Sequence, residues 1–157
     1  MKKNILFGKF MLLFLLLSTF TACKKDKAEE EQNPPTKKEL LSNTWKVSDV
    51  KNQSGTSIIA LPIPMIVCLK DNIFTMEADN TYTIDEGEVV CDPSTAGSGN
   101  WELTDDDSKI KFTPESGDPL IFELISVNTT TLDIGYEITG TGNPDYDGVY
   151  TVVLTKN

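Results

Sequence analysis

The side chains with which this 157-residue chain could do chemistry are carboxylates, lysines, hydroxyls and thiols, because it contains neither histidine nor arginine. The absence of histidine removes the commonest general base and metal ligand, and with them Ser-His-Asp catalysis, Cys-His catalysis and His-based zinc sites. The absence of arginine removes the bidentate fork that binds carboxylates and phosphates. Acid–base catalysis by two carboxylates and calcium binding are the chemistries that remain open.

Neither of these two chemistries has a complete set of residues. Asp85, Glu86 and Glu88 could work with a carboxylate across a cleft, as in glycosidases. Nothing in the sequence fixes the separation that such a pair needs, and exposed carboxylates at a strand end are the usual alternative. We therefore expect no enzymatic activity.

Oxygen side chains at alternate positions, Asn143, Asp145 and Asp147 before Gly148, match the first half of a calcium-binding loop. The glutamate of the twelfth position is replaced by Leu154. The same residue types are typical of a hairpin turn. The segment is thus a weak calcium candidate, and we expect the protein to need no metal or cofactor.

The amino-terminal segment has the layout of a secretory signal. Two lysines head it, an apolar run covers residues 10–17, and Thr21-Ala22 stands directly before Cys23. This arrangement resembles the lipobox of bacterial lipoproteins, with Phe20 where that family usually has leucine. The resemblance implies cleavage before Cys23, attachment of acyl chains such as palmitate to that cysteine, and anchoring in the bacterial outer membrane.

Two alternatives to a lipoprotein signal stay open. One is a plain secretory signal, removed with residues 1–22, in which Cys23 is incidental. The other is a membrane-spanning helix, but a span needs about 20 apolar residues. The run here is interrupted by Lys9 and then by Ser18 and Thr19.

Removal of residues 1–22 leaves 11 lysines against 24 carboxylates, a formal charge of −13. Nucleic acid is a poor partner for such a surface, because phosphate contacts need basic groups. Two cysteines remain besides Cys23, and a leftover pair in an exported protein favours a disulfide between Cys68 and Cys91. That bond would close a loop of roughly 24 residues, for which the chain-entropy estimate is about 3 kcal/mol.

Residues 23–38 contain no large apolar side chain and include Pro34-Pro35. This composition predicts a disordered tether. From residue 39 to residue 157 the pattern changes to short alternating segments separated by turn residues. These eight candidate strands are residues 44–48, 73–76, 82–84, 99–103, 109–112, 120–125, 131–136 and 148–155.

Strands joined by such short connections pair in sequence order, which predicts an antiparallel meander. An eight-stranded meander can remove its edges by closing into a small up-and-down β-barrel. Trp45 and Trp101 lie in phase with the inward face of their strands, where core packing is the usual role and stacking on a ligand is the alternative.

Five segments of this domain resemble the lipocalin-like domain of Bacteroidota lipoproteins. They are residues 41–47, 68–76, 78–83, 91–93 and 99–101. The paired cysteines and the Trp101 strand are the more specific parts, and Asn43 stands where that family usually has glycine. The resemblance implies a lipid-tethered lipocalin-like barrel over residues 39–157 and no enzymatic activity.

An apolar segment with two prolines, residues 57–69, follows the first strand. It predicts either a lip over the barrel mouth or a plug that belongs to the core. In the first case Ile63, Met65 and Ile66, with Trp45 and Trp101, are candidate ligand contacts. The expected function is a non-enzymatic binding module for a small apolar or amphipathic ligand. The alternative is a filled barrel that binds another envelope protein.

Overall fold

The computed structural model describes residues 33–140 and 147–157. The predicted signal peptide, Cys23 and most of the predicted tether lie outside these residues. The helices and strands in chain order are α1 (Lys37–Leu41), β1 (Thr44–Lys51), α2 (Pro64–Leu69), β2 (Ile73–Met76), β3 (Thr81–Asp85), β4 (Gly97–Thr104), β5 (Lys109–Pro114), β6 (Leu120–Val127), β7 (Thr131–Ile138) and β8 (Gly148–Lys156).

The eight strands form a closed barrel in which each strand pairs antiparallel with its neighbours in sequence, and β8 pairs with β1. The predicted up-and-down barrel is therefore confirmed. The pairing shifts at two β-bulges, between Val47 and Asp49 in β1 and between Leu124 and Ser126 in β6. Such bulges bend a strand and increase its twist, which helps a small sheet to close.

The helix α1 begins with a capping box. The hydroxyl of Thr36 accepts from the backbone N–H of Glu39, and the Glu39 carboxylate accepts from the backbone N–H of Thr36 at 2.7 Å. These two bonds satisfy N–H groups that the first turn leaves without partners. The backbone N–H and then the hydroxyl of Thr36, which both donate to the Glu39 carboxylate, hold the pKa of Glu39 below its usual value. The helix is short, and tertiary contacts must stabilise it.

Those contacts place α1 across one end of the barrel. Leu41 is fully buried, and the indole N–H of Trp45 donates to the Leu41 carbonyl at 2.9 Å. Lys37 donates to the carbonyl of Asp107 in the β4–β5 turn, and Lys38 donates to the side chain of Asn80 in the β2–β3 turn. We call this end the α1 end.

The interior is tightly packed at the α1 end. Seven inward side chains there are at most 3% exposed: Leu41, Trp45, Met76, Trp101, Ile110, Leu132 and Leu154. Leu103 and Val127, which are inward residues beside two turns of this end, are of intermediate exposure. Three tight turns close the same end: residues 77–80, residues 105–108 and residues 128–130. Asn128 shows how such a turn is fixed, since its side-chain oxygen accepts from the backbone N–H groups of Thr130 and Thr131.

The opposite end carries the long connections, and we call it the mouth. Odd-numbered strands end there and even-numbered strands begin there. Its connections are residues 52–72, 86–96, 115–119 and 139–147, of which 141–146 lie outside the described residues. Within the described parts of the chain, no helix has the length and hydropathy needed to span a membrane.

Candidate functional site

The inward side chains at the mouth are more exposed than those at the α1 end. Those of intermediate exposure are Ile84, Phe112, Phe122, Tyr136 and Tyr150, and Leu120 is 45% exposed although it pairs with the inward Phe112. Val50 is an exception, because it is buried beside the segment whose Ile58 N–H donates to its carbonyl. The barrel is therefore sealed at one end and accessible at the other.

An aromatic row leads from the buried Tyr82 to this accessible end, where it continues through Phe112, Phe122 and Tyr136. The centroids of Tyr82 and Phe112 lie 5.0 Å apart and those of Phe112 and Phe122 lie 5.7 Å apart, both edge to face. Phe122 and Tyr136 follow at 5.0 Å with their planes tilted by 34°. These separations lie in the range in which ring pairs attract one another. The row is thus a preformed apolar wall that spans β3 to β7.

Two glycines of β4 shape this wall. A Cβ at Gly99 would lie 2.2 Å from the carbonyl oxygen of Thr113 and 2.9 Å from the Tyr82 ring, so glycine is needed for this close packing. Gly97 pairs with the inward Ile84, and a Cβ there would have no atom within 4 Å. The space beside Gly97 is therefore open.

The rim of the mouth is held together by a disulfide. Cys68 in α2 and Cys91 in the 86–96 connection form a disulfide bond, as predicted, with their Cα atoms 5.2 Å apart. Asp71 adds a second link, because one of its carboxylate oxygens accepts from the backbone N–H groups of Glu88 at 2.8 Å and Val89 at 3.0 Å. These bonds hold the pKa of Asp71 below its usual value. The disulfide and the Asp71 hydrogen bonds thus link the 52–72 connection to the 86–96 connection.

The buried carboxylate of Glu86 holds the 86–96 connection together. This carboxylate is only 5% exposed and accepts from the hydroxyl of Ser94, from the backbone N–H and hydroxyl of Thr95, and from the backbone N–H of Cys91. The Ser94 bond and then the Thr95 bonds lower the pKa of Glu86 to about 2. A carboxylate stabilised in this way is a poor proton donor at neutral pH, which does not suit it for general acid catalysis.

The described residues offer little for a metal. One oxygen of Asp71 and the side-chain oxygen of the fully buried Asn72 have no hydrogen-bond partner. No cluster of three or more Asp, Glu, His or Cys side chains suited to a metal ion occurs among residues 33–140 and 147–157. Of the calcium candidates, Asn143 and Asp145 lie outside this part of the chain. Asp147 accepts from the backbone N–H of Gly140 through its side chain.

The candidate ligand contacts fall into two groups. Trp45 and Trp101 are 0% and 1% exposed, and their indole N–H groups donate to the carbonyls of Leu41 and Glu77. These rings belong to the sealed core. The second group, Ile63, Met65 and Ile66, lies at the mouth.

The apolar segment is a rim helix with both buried and exposed sides. Pro64 starts α2, Ile66 is buried, Ile63 is intermediate, and Met65 is 55% exposed. Ile58 and Ile59 pack against the core. The segment thus combines the predicted plug and the predicted lip.

The sequence predicted the inward phase of Trp45 and Trp101 but did not indicate which inward residues would be exposed at the mouth. Tyr136 and the open position at Gly97 were not recognised as part of a site. The Gly97-Ser98-Gly99 sequence was the available indication, because two inward glycines on one strand leave the opposing rings uncovered. Two open clefts in the described residues lie between residues 52–55 and the start of β8, and beside α1.

Comparison with known proteins identifies the family of this chain. The sequence profile of the lipocalin-like domain matches residues 41–134, which is more than half of the chain. No curated protein sequence matches the chain. Among solved structures, a DUF4847 family protein from Bacteroides vulgatus is similar, with 14% sequence identity, a TM-score of 0.44, and coverage of 75% of this chain and 94% of that chain. This chain is a member of the lipocalin-like domain family.

Proposed function

We propose that this protein is a lipid-anchored, non-enzymatic binding module of the bacterial cell envelope that takes a small apolar ligand into the barrel mouth. The observation that carries the proposal is the difference between the two ends of the barrel interior. Seven inward side chains at the α1 end are at most 3% exposed, whereas Phe112, Phe122 and Tyr136 of the aromatic row are of intermediate exposure. Accessible apolar side chains in a concave, preformed site are typical of small-molecule binding.

The position of α1 fits attachment through Cys23. The barrel domain begins with Thr36 and α1, which lie at the sealed end. A chain anchored through a cysteine that precedes α1 therefore enters the domain at the end opposite the mouth.

The binding site is tested by filling the space beside Gly97. We expect the neutral fluorescent probe N-phenyl-1-naphthylamine to bind to the mature chain, made without lipid as the Cys23→Ser variant. Gly97→Leu places an apolar side chain in the open space and should weaken probe binding at least tenfold. Thr113→Leu is the matched control, because Thr113 is exposed on the outer face of β5.

Two results of this experiment would count against the binding site. The first is the absence of probe binding to the folded Cys23→Ser chain. The second is unchanged affinity in a folded Gly97→Leu variant. Circular dichroism confirms that each variant retains the barrel.

The anchor is tested separately, in cells that export the full chain. Mass spectrometry of the extracted protein should show the chain from Cys23 with acyl chains on that residue. Cys23→Ser should release the protein from the membrane into the soluble fraction. Separation of inner and outer membranes tests the proposed outer-membrane location.

A second candidate function is docking of another envelope protein on the rim. Large exposed apolar side chains flank the disulfide on both sides, with Leu61, Met65 and Val67 on one and Val89 and Val90 on the other. Exposed apolar clusters of this kind often mark interaction sites. Crosslinking in the native membrane from position 65 or 90 should give one stoichiometric protein product if this function is the correct one.

A further inference from the structure

Resting on the proposed binding function, we propose that the mouth selects a cationic amphiphile, a molecule with an apolar body and an ammonium-type head, over an anionic one of the same size. Two features support this selectivity. The wall of the mouth is apolar and aromatic, and its rim is negatively charged.

The charge of the rim follows from its connections. The 86–96 connection carries Glu86, Glu88 and Asp92, and the 115–119 connection carries Glu115 and Asp118. In the described parts of all four connections at the mouth, Lys70 is the one basic residue. A ligand that enters the barrel must therefore pass a ring in which carboxylates outnumber basic groups.

The field of this ring reaches the aromatic row. Burial raises the pKa of the Tyr82 hydroxyl, and the negative charge of Glu115 raises it further. The rim carboxylate therefore acts on an inward ring of the wall. An anionic head near Tyr82 would meet the same repulsion, whereas a cationic head would be attracted.

The wall itself adds no charge that would reverse this preference. The inward side chains at the mouth are aromatic or aliphatic, with tyrosine hydroxyls as their polar groups. Aromatic faces attract cations through the ring quadrupole, and they do so more strongly when the site is shielded from water. Lys51 at the end of β1 and Lys70 are the basic residues in and directly beside the described connections at the mouth, and they are outnumbered by the carboxylates there. Lys37 and Lys38 lie at the α1 end, where they hold the helix.

Three unbranched probes with ten-carbon chains, the carboxyl carbon included, separate the charge effect from apolar binding. They are decyltrimethylammonium, decanol and decanoate, used below their micellar concentrations with the soluble Cys23→Ser chain and ranked by displacement of N-phenyl-1-naphthylamine. At low salt we expect decyltrimethylammonium to bind about tenfold more tightly than decanoate, with decanol between them. The ratio should fall towards one in 0.5 M salt.

Paired variants show whether the rim carries the preference. Glu115→Gln with Asp118→Asn should reduce the ratio of the two affinities at least threefold and leave decanol binding unchanged. Asp106→Asn with Asp107→Asn changes the net charge equally at the α1 end and should leave the ratio as it was.

The outcomes separate the two proposals. If none of the three probes binds, the binding function fails and the charge selectivity fails with it. If decanoate binds as tightly as decyltrimethylammonium, the charge selectivity is wrong and the binding function stands. If both paired variants lose the preference for decyltrimethylammonium over decanoate to the same extent, the rim carboxylates are not the source of that preference.

Discussion

Glu86 and Thr95 are joined by two hydrogen bonds to one carboxylate oxygen, from the Thr95 backbone N–H at 2.7 Å and from its hydroxyl at 2.9 Å. The side-chain amide of Asn72 donates to the same Thr95 hydroxyl at 3.0 Å. The residue before β2 is thus connected through Thr95 to the residue after β3. This buried network fixes the 86–96 connection, on which half of the apolar rim depends.

Acid should weaken this network in a defined pH range. The pKa of Glu86 is lowered to about 2 in the folded protein, from 4.5 in the unfolded chain. Between these values the unfolded chain binds more protons, so the Glu86 contribution is complete above pH 4.5 and is lost as the pH falls to about 2. We expect Glu86→Gln to lower the melting temperature at pH 7 and to flatten its dependence on pH in this range.

The matched control for that measurement is Glu88→Gln. Glu88 is exposed and contributes its backbone N–H to Asp71, which the substitution leaves in place. Its pH profile should follow that of the unmodified protein. A Glu86→Gln profile parallel to the unmodified one from pH 5 to pH 2 would show that the network does not titrate as described.

Loss of the disulfide should destabilise the barrel without changing its topology. Cys68 and Cys91 are 23 residues apart, and the chain-entropy estimate for such a loop is about 3 kcal/mol. Urea unfolding of the Cys68→Ser, Cys91→Ser double variant should show this loss of free energy of unfolding. Reduction of the unmodified protein should give the same midpoint as the variant. A variant as stable as the oxidised protein would contradict the estimate.

The barrel could be predicted from the sequence because its strands and turns are determined by residues close together in the chain. Alternating segments such as residues 131–136 and turn residues such as Asn128 fix strands and reversals independently of the rest of the chain. The disulfide was predicted from the number of cysteines in a chain that is expected to be exported. These features do not depend on distances between distant residues.

The helix α1 and the difference in exposure between the two barrel ends depend on such distances and were not predicted. Nothing local requires the five residues of α1 to be helical, and Leu41 stabilises them by packing inside a barrel that the sequence does not display. The exposure of Phe122 depends on strand tilt and on the bulge between Leu124 and Ser126. The alternation of apolar and polar residues therefore predicts which residues point inward, but not which of these are buried.

The β4–β5 turn should become more stable when one charge is removed. Asp105, Asp106 and Asp107 follow one another with φ values of 52°, 54° and 60°, a left-handed conformation that side chains rarely adopt in succession. Asp105 is paired with Lys109 at 2.8 Å. Asp106→Asn keeps a residue type that tolerates this conformation and relieves repulsion. We expect a gain of about 0.5 kcal/mol at low salt.

Salt distinguishes repulsion from backbone strain in that turn. The gain from Asp106→Asn should disappear in 1 M salt, because surface charges are then screened. Asp106→Val is the opposite control, since a β-branched residue at this φ should cost about 1–2 kcal/mol at any salt concentration. Both values come from chemical denaturation. A salt-independent gain from Asp106→Asn would exclude repulsion as its cause.

Substitutions at the α1 end should mainly lower stability, and substitutions at the mouth should mainly weaken ligand binding. Trp45 is fully buried and donates to the Leu41 carbonyl, so Trp45→Phe should lower the free energy of unfolding by about 2 kcal/mol. Its effect on N-phenyl-1-naphthylamine affinity should be less than twofold, because no accessible surface is changed.

Phe122→Leu should do the reverse. The Phe122 ring is of intermediate exposure and contacts Phe112 and Tyr136, so its loss removes part of the accessible wall. We expect about fivefold weaker probe binding, the scale of one aromatic pair, and less than 1 kcal/mol of destabilisation. If Trp45→Phe weakened binding as much as Phe122→Leu did, the ligand would have to reach the α1 end, and the sealed half of the barrel would open in solution.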